Sequence, residues 1–120
     1  MIYKIIFFVD TKGACPVEEY MEKLSAPQQD KVFAYLRRLQ EVGPQLKRPA
    51  GDYLGGKIKL YELRPGRHRI LYYFHGKNIV LLHAFLKKTD EIPKKDIELA
   101  LFRKDICEVQ FKHGRIETGD

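Results

Sequence analysis

The pattern of apolar and polar positions along the chain begins with an apolar segment at residues 1–9. This segment is rich in β-branched and aromatic residues and has few polar positions, which predicts a central strand buried on both faces. Residues 10–14 include Gly13 and predict a turn. The sheet of this protein is therefore expected to begin at the start of the chain.

Two consecutive helices are predicted next. Pro16 suits the first position of a helix, and apolar residues follow at helical spacing on one face: Val17, Tyr20, Met21 and Leu24. Residues 25–27 end this helix and begin a second, whose apolar stripe comprises Val32, Phe33, Leu36, Leu39 and Val42. Gly43 followed by Pro44 ends it, because glycine supplies the cap and proline cannot continue a helix. The two helices are expected to form a hairpin.

Three strands are predicted after a loop at residues 47–56. They cover residues 57–64, 67–75 and 79–86, and short turns containing glycine separate them. Turns of this length predict an antiparallel meander. The third strand is almost entirely apolar and is expected to be central.

A final helix is predicted from about Pro93, with Ile97, Ala100, Leu101 and Lys104 on one face. Its end lies between residues 102 and 111, and residues 112–120 are polar and expected to fray. The order β-α-α-β-β-β-α predicts an α+β fold, with an antiparallel sheet packed against the helical hairpin and the other face of the sheet covered or used. The 120 residues are expected to form one domain, flexible from about residue 111.

Composition excludes several classes of protein. Hydrophobic residues make up 44% and charged residues 32%, as in globular proteins. No apolar run approaches the ~20 residues of a membrane span, and Lys4 interrupts the only segment resembling a signal peptide. Two cysteines, Cys15 and Cys107, cannot form a disulfide framework or a four-ligand zinc site by themselves. We expect a reduced cytoplasmic protein with no metal and no cofactor.

The positive charge is concentrated in the middle of the chain. Residues 43–95 contain twelve basic and four acidic residues, a net charge of +8, whereas the rest of the chain has ten basic and twelve acidic residues. Concentrated basic charge favours a polyanionic partner such as nucleic acid, although a solubilising surface would have the same composition.

The same region contains the residue types of metal-free RNA cleavage. When a 2′-hydroxyl attacks the adjacent phosphorus, cations must stabilise the charged transition state and other groups must move protons. The pattern leaves structural alternatives open. His83 within a buried strand is typical of a core histidine, and Arg64 is as compatible with an ion pair to Glu62 as with a phosphate contact. Lys57, Lys59, Lys94 and Lys95 are typical of solvated charge.

Four short motifs in order resemble the HigB-like branch of the RelE/ParE toxin superfamily, which contains phage-derived members. They are the runs at residues 60–64 (LYELR), 69–72 (RILY) and 81–89 (LLHAFLKKT), and Pro93 with residues 97–100 (IELA). The resemblance covers residues 1 to about 104. It implies a type II toxin, an endoribonuclease that cuts translated mRNA in the ribosomal A site without a metal. It also implies a cognate antitoxin, of helix-turn-helix type in this branch.

The resemblance implies roles for particular residues. Arg69 matches an arginine that holds the scissile phosphate, Lys88 falls where relatives have a second phosphate-binding arginine, and Arg64 matches the arginine of the Glu-Leu-Arg motif. The general base stays open among His68, His83, Lys57 and Lys59, because Leu60 and Glu62 replace the lysines of RelE. The expected catalytic residues are Arg64, Arg69, His83 and Lys88, and the expected RNA-binding residues are Lys57, Lys59, Arg67, His68, Lys87 and Lys94.

Two other functions share this fold. ParE-like toxins act without cleaving RNA, and a relative that has lost activity would only bind antitoxin or nucleic acid. The resemblance predicts that Arg69→Ala abolishes toxicity and leaves the fold intact.

Overall fold

Five strands and three α-helices form the part of the chain that our computed structural model describes, residues 2–116. In chain order they are β1 (Lys4–Phe7), α1 (Pro16–Glu22), α2 (Ala26–Val42), β2 (Gly51–Tyr53), β3 (Tyr61–Leu63), β4 (His68–His75), β5 (Asn78–Leu86) and α3 (Lys94–Lys112). This architecture confirms the predicted α+β fold and its N-terminal helical hairpin. Residues 117–120 of the predicted frayed tail lie outside the described part.

The strands form one sheet in the order β1-β5-β4-β3-β2. β1 pairs with β5 in parallel, whereas the other neighbours are antiparallel, so the sheet is mixed. The prediction of a central first strand is wrong, because β1 lies at the edge. Its apolar composition reflects two covered faces: Ile5 and Phe7 pack toward the helical hairpin, and Ile6 packs toward α3. β5 is an interior strand, as predicted.

The segment before β4 differs most from the prediction. The expected loop at residues 47–56 contains β2, which pairs with β3 and is too short to produce an alternating pattern. The expected strand at residues 57–64 begins only at Tyr61. Before it, the amides of Ile58 and Lys59 both donate to the Gly55 carbonyl, and Lys59 has a φ of +53°, which closes a turn.

The ends of α2 are determined by local chemistry. Ser25 accepts a hydrogen bond from the Gln28 amide at 3.4 Å and Gln28 reciprocates, forming a capping box. At the other end, Gly43 has a φ of +67° and its amide donates to the Leu39 carbonyl, so the predicted glycine stop is confirmed. The Tyr3 ring packs against Gly43 where any other residue would place its Cβ.

Two apolar layers lie on opposite faces of the sheet. The helical hairpin covers one face, with Val17, Val32, Leu36, Leu39, Ile70, Tyr72, Ile79 and Leu81 in its core. α3 covers the other face, with Leu60, Leu71, Tyr73, Val80, Leu82, Ala100 and Cys107 in its core. Both faces are therefore covered by helices. Among residues 2–116, no helix is both long and apolar enough to cross a membrane.

Candidate nucleic-acid interface

Antiparallel pairing brings several of the predicted site residues to one end of the sheet. β3 ends, β4 begins and β5 ends there, which places Arg64, residues 67–69 and residues 87–88 close together. His68 is in register with Leu86, and the Lys87 amide donates to the Arg67 carbonyl at 2.8 Å. Residues far apart in sequence thus form one basic end of the sheet.

A buried carboxylate holds two arginines, Arg64 and Arg69, at this end of the sheet. Glu62 is only 3% exposed. Its Oε1 lies 2.6 Å from Arg64 Nη1, and its Oε2 lies 3.8 Å from Arg69 Nε. Because a buried charge is costly unless it is paired, Glu62 holds both guanidinium groups in place. The sequence left Arg64 either an ion pair with Glu62 or a phosphate contact, and the structure contains the ion pair. One-fifth of the Arg64 side chain is still exposed.

Arg69 lies at the start of β4, and its side chain reaches back to the loop between β3 and β4. It is 5% exposed, and its Nη1 donates to the carbonyls of Gly66 and His68, both at 2.8 Å. Burial, and then the neighbouring Arg64 charge, lower the pKa of Arg69 from its usual value. The side chain therefore shapes the loop as well as supplying charge.

Arg64 and Arg69 open onto a groove between the sheet end and α2, which we call the arginine groove. It has a volume of about 350 Å³ and is lined by Lys31, Tyr35, Arg48, Pro49, Arg64, Gly66 and Arg69. Arg48 also pairs with Asp52 at 3.1 Å, but about two-thirds of its side chain remains exposed. Four cations thus face one groove, a geometry that suits a phosphate-bearing ligand.

His68 precedes Arg69 on β4, and its side chain faces the helical hairpin. Its Nδ1 is 2.7 Å from the Tyr20 hydroxyl, and the two rings meet edge to face. Burial, followed by the charge of Arg69, lowers the pKa of His68 from its usual value of 6.5. The neutral form of the imidazole is therefore favoured, and Tyr20 orients one of its nitrogens.

His83 lies on the other face of the sheet, under α3. Its Nε2 is 2.6 Å from Asp96 Oδ1, and its Nδ1 is 3.5 Å from Arg103 Nη1. Burial lowers the pKa of His83, and the hydrogen bond to Asp96 partly offsets this effect. Both ring nitrogens have protein partners, as in the core histidine that the residue pattern favoured.

A known protein family matches most of the chain. Residues 19–105 match the family model described as phage-derived protein Gp49-like (DUF891). The chain belongs to this family. Gp49-like proteins are a RelE/HigB-like toxin family, related to the toxins of toxin–antitoxin systems. A search of curated proteins found no match to this chain.

The segment shared with Gp49-like proteins includes all ten residues predicted for the site, but the structure does not bring all ten together. Lys88 is exposed at the basic end of the sheet, and Lys87 Nζ lies 3.1 Å from Asp90 Oδ1. Lys94 is 90% exposed in the first turn of α3, near Glu98. The remaining two, Lys57 and Lys59, are exposed in the turn before β3, at the end opposite Arg64.

Sequence reasoning missed four residues of this Gp49-like site: Tyr20, Lys31, Tyr35 and Arg48. Helical periodicity places Lys31 on the outer face of α2, and Arg48 falls in a predicted loop. Only the packing of α2 beside the β3–β4 loop brings them to Arg64 and Arg69. Within the described residues, no three histidine, cysteine or carboxylate side chains are close enough to hold a metal ion.

Proposed function

We propose that this Gp49-like protein is the toxin of a type II toxin–antitoxin system and that it cleaves translated mRNA on the ribosome. The observation that carries the proposal is the arginine groove. Lys31, Arg48, Arg64 and Arg69 line it, and His68 adjoins Arg69 at the start of β4. Cations and a titratable imidazole are the groups that RNA cleavage by the 2′-hydroxyl requires.

The reaction forms a bond between the 2′-oxygen and phosphorus and breaks the bond from phosphorus to the 5′-oxygen. The 2′-hydroxyl loses its proton to a base, and the leaving 5′-oxygen gains one from an acid. Negative charge accumulates on the non-bridging oxygens in between. Arg64 and Arg48, both accessible in the groove, are positioned to stabilise this charge, and Arg69 reinforces the local positive field.

His68 is the better candidate for proton transfer, because it lies at the same sheet end as the groove and burial favours its neutral form. His83 would first have to leave Asp96 and Arg103. Lys88 supplies a second cation for the phosphate. The exposed cations Arg67 and Lys94 and the half-buried Lys87 contact the RNA backbone on either side, and Lys57 and Lys59 contact it farther away.

The proposal implies a cytoplasmic protein that acts on ribosomes and mRNA until a cognate antitoxin, of helix-turn-helix type, neutralises it. A non-nucleolytic toxin of the ParE kind or an inactive binding module are the other outcomes that an experiment must distinguish.

Induced expression in bacteria, followed by primer extension on a translated reporter mRNA, tests the proposal. We expect cleavage within codons that stops when translation is blocked and falls at least about tenfold in Arg64→Ala. Lys112→Ala is the matched control, because this exposed lysine is at the opposite sheet end, where Phe111 stacks on His75. Growth arrest with intact mRNA would contradict the nuclease proposal, and unchanged growth would indicate a binding module.

A further inference from the structure

The first strand has an unusual composition for the edge of a sheet. β1 consists of Lys4 followed by three apolar residues, and it has β5 on one side and no described strand on the other. Natural edge strands are protected by charge, as at the other edge, where Asp52 lies at the centre of β2. Ile2 and Val9, which flank β1, are 58% and 43% exposed. The edge is therefore apolar and accessible.

The backbone of β1 has hydrogen-bonding groups directed away from the sheet. The amides of Lys4 and Phe8 donate to the carbonyls of Lys77 and Leu81, at 3.0 and 2.9 Å. Because successive strand residues point in alternate directions, the N–H and C=O groups of Ile5 and Phe7 face outward. The open stretch begins at Ile5, since Gln40 satisfies the backbone of Tyr3.

A groove on the hairpin side runs beside this edge, and its two halves have opposite charge. One half, of about 470 Å³, includes Lys4 and Arg37, and the other, of about 340 Å³, includes Glu18 and Glu22. Phe33 borders both halves and is 50% exposed. The groove thus has a basic end, an apolar centre and an acidic end.

We propose that two copies of this chain associate by antiparallel pairing of their β1 strands. Ile5 of each copy lies opposite Phe7 of the other, and the two-fold axis passes at Ile6. This register forms four backbone hydrogen bonds and joins the two five-stranded sheets into one of ten strands. The interface is isologous, so the surface must be complementary to itself.

The charges of the groove satisfy this condition. Antiparallel pairing places the basic end, with Lys4 and Arg37, against the acidic end, with Glu18 and Glu22, of the other copy, and the two-fold axis produces this match twice. The two Phe33 side chains lie near the axis, where apolar contact is most effective. Pairing would also give β1 a hydrogen-bonded strand on each side, which agrees with its apolar composition, typical of a central strand.

Sedimentation equilibrium of the full chain over a range of concentrations tests the dimer. We expect reversible dimers and a dissociation constant at least about tenfold higher for Phe33→Glu, which places a charge at the axis. The matched control is Phe102→Glu, because Phe102 is 63% exposed on α3 and lies outside the interface. A monomer at all concentrations would overturn the proposal and leave the edge to an extended segment of another protein.

Two further measurements test the pairing itself. Arg37→Glu should weaken the dimer, and adding Glu22→Arg should restore it by exchanging the charges. The amides of Ile5 and Phe7 should exchange with solvent more slowly as the dimer fraction rises. A dimer that is insensitive to Phe33→Glu, or that leaves these amides unprotected, would contradict the model of β1 pairing. These readouts are independent of RNA cleavage, so their failure and that of the proposed function are distinguishable.

Discussion

Replacement of Arg69 by alanine is expected to destabilise the fold strongly, because Arg69 is structural as well as cationic. Its Nη1 donates to the Gly66 and His68 carbonyls, and Glu62 lies 3.8 Å from its Nε. The resemblance to known toxins predicted that Arg69→Ala would leave the fold intact. The buried position of the side chain leads to the opposite expectation.

The magnitude follows from the contacts that are lost. A hydrogen bond to a charged donor contributes about 1.5–3 kcal/mol, and Arg69 makes two of them. Glu62 retains Arg64 at 2.6 Å, so the carboxylate is not left without a partner. We therefore expect Arg69→Ala to lower the free energy of unfolding by about 3–5 kcal/mol, a large share of the ~5–15 kcal/mol typical of a domain. Arg64→Ala should cost about 1.5–3 kcal/mol, because it removes the 2.6 Å ion pair to the buried Glu62 and leaves this carboxylate only Arg69, at 3.8 Å.

Urea unfolding followed by far-UV circular dichroism measures both changes. The matched control is Arg67→Ala, because Arg67 is exposed and its Nη2 makes a long hydrogen bond, 3.5 Å, to the Lys87 carbonyl. We expect this control to change stability by less than about 0.5 kcal/mol. If Arg69→Ala were as stable as Arg67→Ala, the argument that the two carbonyl contacts hold the β3–β4 loop would be refuted.

Three further changes test the fold. Gly43→Ala should lower stability by at least about 2 kcal/mol in urea unfolding, because φ is +67° and the Tyr3 ring occupies the Cβ position; an unchanged midpoint would contradict this packing. Ser25→Ala should cost about 1 kcal/mol by loss of the capping box, and no loss would show that the box is dispensable. Because burial lowers the pKa of His83, the unfolded chain binds its proton more readily, and stability should fall as the pH drops from about 7.5 to about 5.5. The thermal midpoint of His83→Gln should decrease less over this range, and an equal decrease would contradict this assignment.

Local patterns determined most of the helices and the long strands. Apolar spacing predicted α1 and α2. The predicted end of α2 at Gly43-Pro44 is also correct, because it depends on the backbone conformation of Gly43 alone. The strands at residues 67–75 and 79–86 were predicted to within one residue of β4 and β5. Such features depend on neighbours in sequence, so the sequence alone is sufficient to predict them.

The position of each strand in the sheet depended on the tertiary structure. An apolar run such as β1 indicates two covered faces, but it does not distinguish a central strand from an edge strand between two helical layers. β2 has three residues and depends on its pairing with β3. Pairing partners are distant in sequence, and no local pattern specifies them.

The same distinction applies to the candidate site. The sequence by itself determined that the middle of the chain is basic and that Arg64 and Arg69 belong to recognisable motifs. Only the tertiary structure decided that Lys31 and Arg48 join them in one groove, and that His68 faces this sheet end while His83 packs under α3. Composition and motifs specify which chemical groups are available. Which of them act together depends on distances that only the packing of α2, the β3–β4 loop and the sheet establishes.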